Sequence, residues 1–264
     1  MAKSSLRGQL TLGITALAAI VVAASQVKPI YVGQAPVVQR LVAATWRDSA
    51  AARAPWALDS GAAVLATAQF EADRRAFASD LVSTGRVSTG RADTLATFAV
   101  REAYKRRVPP ALVFGVLMTE NSTFKSHARS NVGAVGLMQV YPKIWVPTLG
   151  KIFGRDLRDD ETNLRYGVHI LSHYVYTAAR KAPDPANDPR GTVRTALLRY
   201  NGCVRGTNTP NCMTYPDKVM RAVEQFALAQ CGAGGFEECV SRPMRLRLDA
   251  TTTAVATGEV AVSM

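Results

Sequence analysis

Negative charge is scarce in this 264-residue chain: 20 Asp and Glu stand against 32 Lys and Arg, a formal charge of +12. The sequence also lacks a block of five or six like charges, a long-period repeat, and more than one uncharged stretch that approaches a membrane span. The first absence argues against a nucleic-acid-binding arm, the second against a solenoid or repeat array, and the third excludes a polytopic membrane protein. Histidine occurs three times. His169 and His173 stand four apart, a spacing that can hold zinc, but no His-Glu-x-x-His arrangement is present and His127 is remote, so no metal site is expected. Apolar residues make up 48% and charged residues 20%, ordinary globular usage that speaks against wholesale disorder. The basic excess leaves nucleic acid, anionic lipid or an acidic polymer as partner classes. Most of it sits in residues 96–225, where 19 basic and 10 acidic residues give +9.

At the N-terminus Lys3 and Arg7 precede an uncharged run over residues 10–24 that extends to Val27. A basic flank, an apolar stretch and small residues at its end have the form of an export signal. As a helix, the 18 residues 10–27 would measure about 27 Å, near the lower limit for a bilayer span. Residues 1–30 are therefore read as a cleaved signal peptide or an uncleaved signal anchor, with inner-membrane anchoring through residues 10–27. Both readings put the rest outside the cytoplasm. Residues 31–95 read as a helical stalk, linker or packing layer, with no chemistry assigned. A helix is expected over 61–81, capped by Ser60 and ended by Gly85. Ser83-Thr84-Gly85-Arg86 recurs as Ser88-Thr89-Gly90-Arg91 and reads as a linker.

A further helix is expected from an Asp93 cap to Lys105-Arg106-Arg107, whose cations suit a C-terminal dipole. Pro109-Pro110 end it, and Pro110 suits the first turn of the next helix, to Glu120. Residues 111–118 are uncharged and nearly all apolar, so this helix should be buried on most sides. Glu120 is the first charge after it and borders the buried face. Desolvation and the negative end of the helix both raise a carboxyl's pKa there. A carboxyl still protonated near neutral pH can act as a general acid, although a helix-terminal Glu is also an ordinary solvated end.

The stretch Ala128-Arg129-Ser130-Asn131-Val132-Gly133-Ala134-Val135-Gly136-Leu137-Met138-Gln139 resembles the A-x-S-x-x-G-A-x-G-L-M-Q signature of the lytic transglycosylases with an SLT domain, relatives of goose-type lysozyme. The proline-led helix ending at Glu120 matches the family's helix ending in its catalytic Glu. Downstream, Asn163, Gly167 and Leu171 match N-x-x-x-G-x-x-x-L; Tyr200-Asn201-Gly202 matches Y-N-x-G; and Tyr215-x-x-Lys218-Val219 matches Y-x-x-K-V. The resemblance covers about residues 96–225. It departs in the turn after Glu120, where Asn121 replaces the usual Ser and Phe124 falls one position late, and at Cys203, where a second glycine is usual.

The resemblance implies a mainly α, lysozyme-like catalytic domain that cleaves the β-1,4 bond between N-acetylmuramic acid and N-acetylglucosamine in peptidoglycan, leaving 1,6-anhydro ends. Glu120 would be acid and then base, with no metal or cofactor. Ser130 would face the sugar, Met138 would form cleft wall, Gln139 would contact the N-acetyl group, and Tyr200 would hydrogen-bond the acid or the sugar. Gly136, with Gly133, would allow close backbone approach or positive φ. Asn201 and Tyr215 are the weaker substrate-binding candidates. The partner would be peptidoglycan glycan strands and not nucleic acid, in the periplasm or cell envelope. A hydrolytic lysozyme and an inactive peptidoglycan-binding scaffold remain the alternatives. Asp156, Asp159, Asp160 and Glu161 could supply a lysozyme's second carboxylate, or form a polar loop and the acidic start of the helix after it. Export permits disulfides; of three connectivities, Cys203 with Cys212 and Cys231 with Cys239 close the shortest loops. Residues 226–264 form a Cys-containing extension, and the poorly patterned tail beyond Val240 reads as disordered or a short strand.

Overall fold

The computed structural model describes residues 54–57, 61–203 and 212–248. The apolar run at 10–27, Ser60 and the tail from residue 249 lie outside the described residues. Among the described residues α-helices predominate, and β-structure is confined to isolated bridges joining Arg129 to Val135 and Val135 to Val140. No helix among them is long and apolar enough to cross a membrane.

Helix α1 spans Ala68–Ser83, starting later than the sequence pattern implied. Residues Ala62–Ala66 form a 3-10 turn instead, and the Thr67 hydroxyl accepts from the Phe70 N–H at 3.1 Å, satisfying a donor that a helix start leaves open. Its buried side carries Phe70, Phe77 and Leu81. Helix α2, Thr89–Arg106, also departs from the expected start, because Ser88 and not Asp93 is its cap. The second Ser-Thr-Gly-Arg copy is thus a cap and first turn and not a linker, while Asp93 pairs with Arg74. Ala92, Ala96, Ala99 and Ala103 recur at three and four residues and are fully buried, a small-residue stripe that lets neighbouring helices pack closely. Edge-on ring pairs join α1 to its neighbours: Phe70 with Tyr104 at 5.2 Å and Phe77 with Phe114 at 5.4 Å. Over α1, the segment 31–95 thus packs against neighbouring helices through Phe70 and Phe77.

Arg107 ends α2 in the left-handed conformation, φ 54°, and Pro110 opens α3, Pro110–Glu120, as its composition required. Every residue of α3 from Pro110 to Met118 is buried. A helix without a polar face is stable only when neighbours cover it on all sides. Further helices are α4, Pro142–Phe153; α5, Asp160–Ala179; α6, Pro189–Tyr200; α7, Tyr215–Phe226; and the short α8, Leu228–Cys231. Helix α7 crosses α3 antiparallel at Gly115. A Cβ there would lie 2.7 Å from Val223 Cγ2 and 2.9 Å from the Val219 carbonyl, so only glycine permits this spacing. The crossing brings Tyr215 at the start of α7 to Glu120 at the end of α3.

The acids at 156–161 are used structurally. The Asp159 carboxylate caps α5 by accepting from the Thr162 N–H at 2.8 Å. Asp160 pairs with Arg91 at 2.5 Å, and Glu161 with Arg101 at 2.6 Å and Arg165 at 2.7 Å. Toward the C-terminus, Asp80 of α1 accepts from the N–H groups of Ala229 at 2.7 Å and Gln230 at 3.2 Å. The chain beyond Val240 is neither disordered nor a strand through residue 248. Residues 242–248 are helical, Met244, Leu246 and Leu248 are buried, and Arg247 donates to the Arg107 carbonyl at 2.6 Å. Burial of these apolar side chains holds the segment, although their spacing in sequence forms no simple stripe. Disulfides join Cys203 to Cys212 and Cys231 to Cys239, with Cα separations of 5.9 and 5.1 Å.

Candidate active site

Glu120 is the last residue of α3 and is half-buried. Desolvation against the apolar helix raises its pKa from the usual carboxylate range to about 7, against a smaller lowering by the Tyr215 hydroxyl. That hydroxyl donates to Glu120 Oε1 at 2.5 Å. Tyr215 and Tyr200 both have pKa values well above an ordinary phenol's, through burial first and then the charge of Glu120. Two phenols, kept as O–H donors, therefore lie within the field of one carboxyl.

The chain after Glu120 is shaped by Asn121, which is buried. Its Nδ2 donates to the carbonyls of Lys125 at 2.8 Å and Gly136 at 3.2 Å, and its Oδ1 accepts from the Lys125 N–H at 3.3 Å. The extra residue of this turn is absorbed at Phe124, which adopts φ 52° with its ring buried. Asn163 of α5 does the same work for the loop at 128–140. It accepts from the Met138 N–H at 2.8 Å and donates to the carbonyls of Val135 at 2.9 Å and Leu157 at 2.8 Å. These bonds satisfy backbone groups that would otherwise be buried unpaired. Gly136, φ 84°, turns the loop where any Cβ would collide with the Asn163 side chain. The required close approach is to protein.

Together the helix ending in a raised carboxyl, the asparagine-pinned loop and the two phenols form one constellation drawn from residues far apart in sequence. Residues 98–207 match the Transglycosylase SLT domain. No curated protein and no solved structure matches the chain. The SLT domain indicates a peptidoglycan-cleaving function of the lytic transglycosylase type, and hence action outside the cytoplasm.

The candidate residues separate by what each touches. The Ser130 hydroxyl accepts from the Ala134 N–H at 3.0 Å, holding a turn. Met138, expected in the cleft wall, is fully buried and packed where α5 carries Gly167. Its carbonyl accepts from the Tyr200 hydroxyl at 2.9 Å. Gln139, at φ 46°, folds back to donate from Nε2 to the Gly136 carbonyl at 2.8 Å. Asn201 caps α6 and donates to Cys203 Sγ at 3.4 Å. The phenol on Glu120 is thus Tyr215, the weaker candidate by sequence, while Tyr200 braces the loop. Asn121 and Gly115 were missed; Asn121 showed only as a departure from the usual Ser, and Gly115 as an isolated glycine inside an apolar helix. His169 is pulled down to about 4 by burial, then by Arg106 and His173. No cluster among the described residues could hold a metal ion.

Proposed function

We propose that the SLT domain cleaves the β-1,4 bond between N-acetylmuramic acid and N-acetylglucosamine without consuming water. Glu120 protonates the departing glycosidic oxygen as the bond to C1 breaks. Its carboxylate then takes the proton of the muramyl 6-hydroxyl while that oxygen bonds to C1, which yields a 1,6-anhydro end and restores the acid. The substrate's acetamido group shields the cationic transition state.

The observation that carries this reading is the Glu120 carboxyl, poised at about 7 and bonded at one oxygen by Tyr215. A group titrating there can give and recover a proton at neutral pH. With Oε1 held by the phenol, Oε2 delivers the proton. The bond also stabilises the carboxylate left after delivery, since hydrogen bonds to charged acceptors are the stronger kind. One carboxyl serves both transfers, unlike the usual pair. The employment of Asp156 in a turn, Asp159 in a helix cap and Asp160 and Glu161 in ion pairs supports that economy over an inverting lysozyme.

Mass spectrometry of digested sacculi tests the reading. Products one water lighter than hydrolysis gives are expected, and reducing muramic ends would overturn it. Glu120→Gln should lose about a hundredfold or more in turnover and retain glycan binding. Undiminished cleavage would mean that another group is the acid.

A further inference from the structure

The phenols near Glu120 belong to two helices. Tyr200 is the last residue of α6 and Tyr215 the first of α7. Cys203 stands three residues after the one and Cys212 three before the other, and the two cysteines are bonded to each other. Cys203 is fixed to α6 through its N–H, which donates to the Leu198 carbonyl at 2.9 Å. Cys212 is buried and opens the 3-10 turn Cys212–Thr214 that runs directly into Tyr215. A second tie runs from Arg194, bidentate to Asp217 and at 3.4 Å from the Met213 carbonyl, but both side chains of the ion pair are solvent-exposed, where screening weakens it. The crossing at Gly115 holds the middle of α7, whereas Tyr215 lies at its first turn, where helices fray.

We propose that the Cys203–Cys212 disulfide positions the Tyr215 hydroxyl on Glu120, so that cleavage is fully competent only once this bond is oxidised. The inference rests on Glu120 being the acid. The bond forms when the two thiols give up two protons and two electrons to a disulfide-bearing oxidant, which leaves as a dithiol. Cytosolic thiol pools keep such pairs reduced and exported surroundings oxidise them. The same chain is therefore weakly competent where it is made and fully competent where glycan strands lie.

The other disulfide provides the comparison. Cys231 lies beyond the C-terminal end of α7, the opposite end from Tyr215, about 18 Å away along a 12-residue helix. Cleavage of soluble glycan strands is measured against pH for the full chain, for C231S/C239S with and without a phosphine reductant, for C203S/C212S and for Tyr215→Phe. The unreduced C231S/C239S protein should keep the wild-type profile. Its reduction, and separately C203S/C212S, should lower kcat about ten- to hundredfold, as losing one hydrogen bond to a charged group does. Both should also move the alkaline limb upward, the direction of Tyr215→Phe, because the phenol's lowering of Glu120 is lost. In a Tyr215→Phe background, reduction should change kcat by less than about twofold. A reduced protein with the wild-type rate and pH profile would overturn the proposal. Loss of helical circular dichroism in both the reduced protein and C203S/C212S would also overturn it, since the bond would then hold the fold and not the pair. Active Glu120→Gln is a separate failure, seen with every cysteine intact, and concerns the acid alone.

Discussion

A carboxyl held at about 7 has a thermodynamic consequence for the fold. Its folded pKa lies above the usual 4.5, so between these values the folded chain keeps a proton that the unfolded chain has released. Stability is then greatest below the lower value and falls as pH rises toward the upper one, by up to about 3 kcal/mol. Glu120→Gln removes the titration. The variant should melt above wild type at pH 8 and near it at pH 4; equal melting temperatures at both would contradict burial of the charge. The position of Glu120 was legible in sequence because an apolar helix ending in one acid encodes its own desolvation. Its hydrogen-bond partner was not. Motif order placed Tyr200 and Tyr215 in the same region, and only the packing of α7 on α3 brings the Tyr215 hydroxyl to Glu120 while Tyr200 reaches the Met138 carbonyl.

Helices α3 and α7 meet through one missing side chain. Gly115→Ala would put a methyl 2.7 Å from Val223 Cγ2 and 2.9 Å from the Val219 carbonyl, so α7 must shift outward. Overpacking of this kind costs about 1–3 kcal/mol. Because Tyr215 rides on α7, kcat should fall more than KM rises; a lowered melting temperature with unchanged kcat would show that the crossing does not set the phenol. Helices were legible at this scale, and so was the start of α3 at Pro110, but the starts of α1 and α2 were not. Asp93 and Ser88 are both good caps by residue type, and so are Ser60 and Thr67. The choice is made by which N–H lies within reach, as Arg91 does for Ser88 and Phe70 for Thr67. The roles of Asn163 and Asn121 were likewise invisible, because each acts on carbonyls brought near by folding.

Across the whole molecule, the +12 charge and its concentration in residues 96–225 are expected to act on association more than on chemistry. A basic domain approaching an anionic wall gains encounter rate, and salt screens that gain over a Debye length of about 10 Å at 0.1 M. Binding to isolated sacculi should weaken steadily as ionic strength rises from about 0.05 to 0.5 M. Binding that ignores salt would leave the charge as a solubility device. The packing of the flanks was the least legible part. Residues 31–95 read as a stalk, linker or packing layer, and the chain past Val240 as disordered or a short strand. Their burial depends on contacts such as Asp80 with Ala229 and Arg247 with Arg107, which join residues about 150 and 140 positions apart and leave no trace in local pattern.

The matched family segment stops at residue 207, whereas the phenol bonded to Glu120 is residue 215. A gene fragment cut at the family boundary would encode the acid without its partner, and would also omit the α7 ridge that fills the gap over Gly115. A segment that keeps this pair and its crossing together is therefore longer than the matched one and must reach at least to Val223.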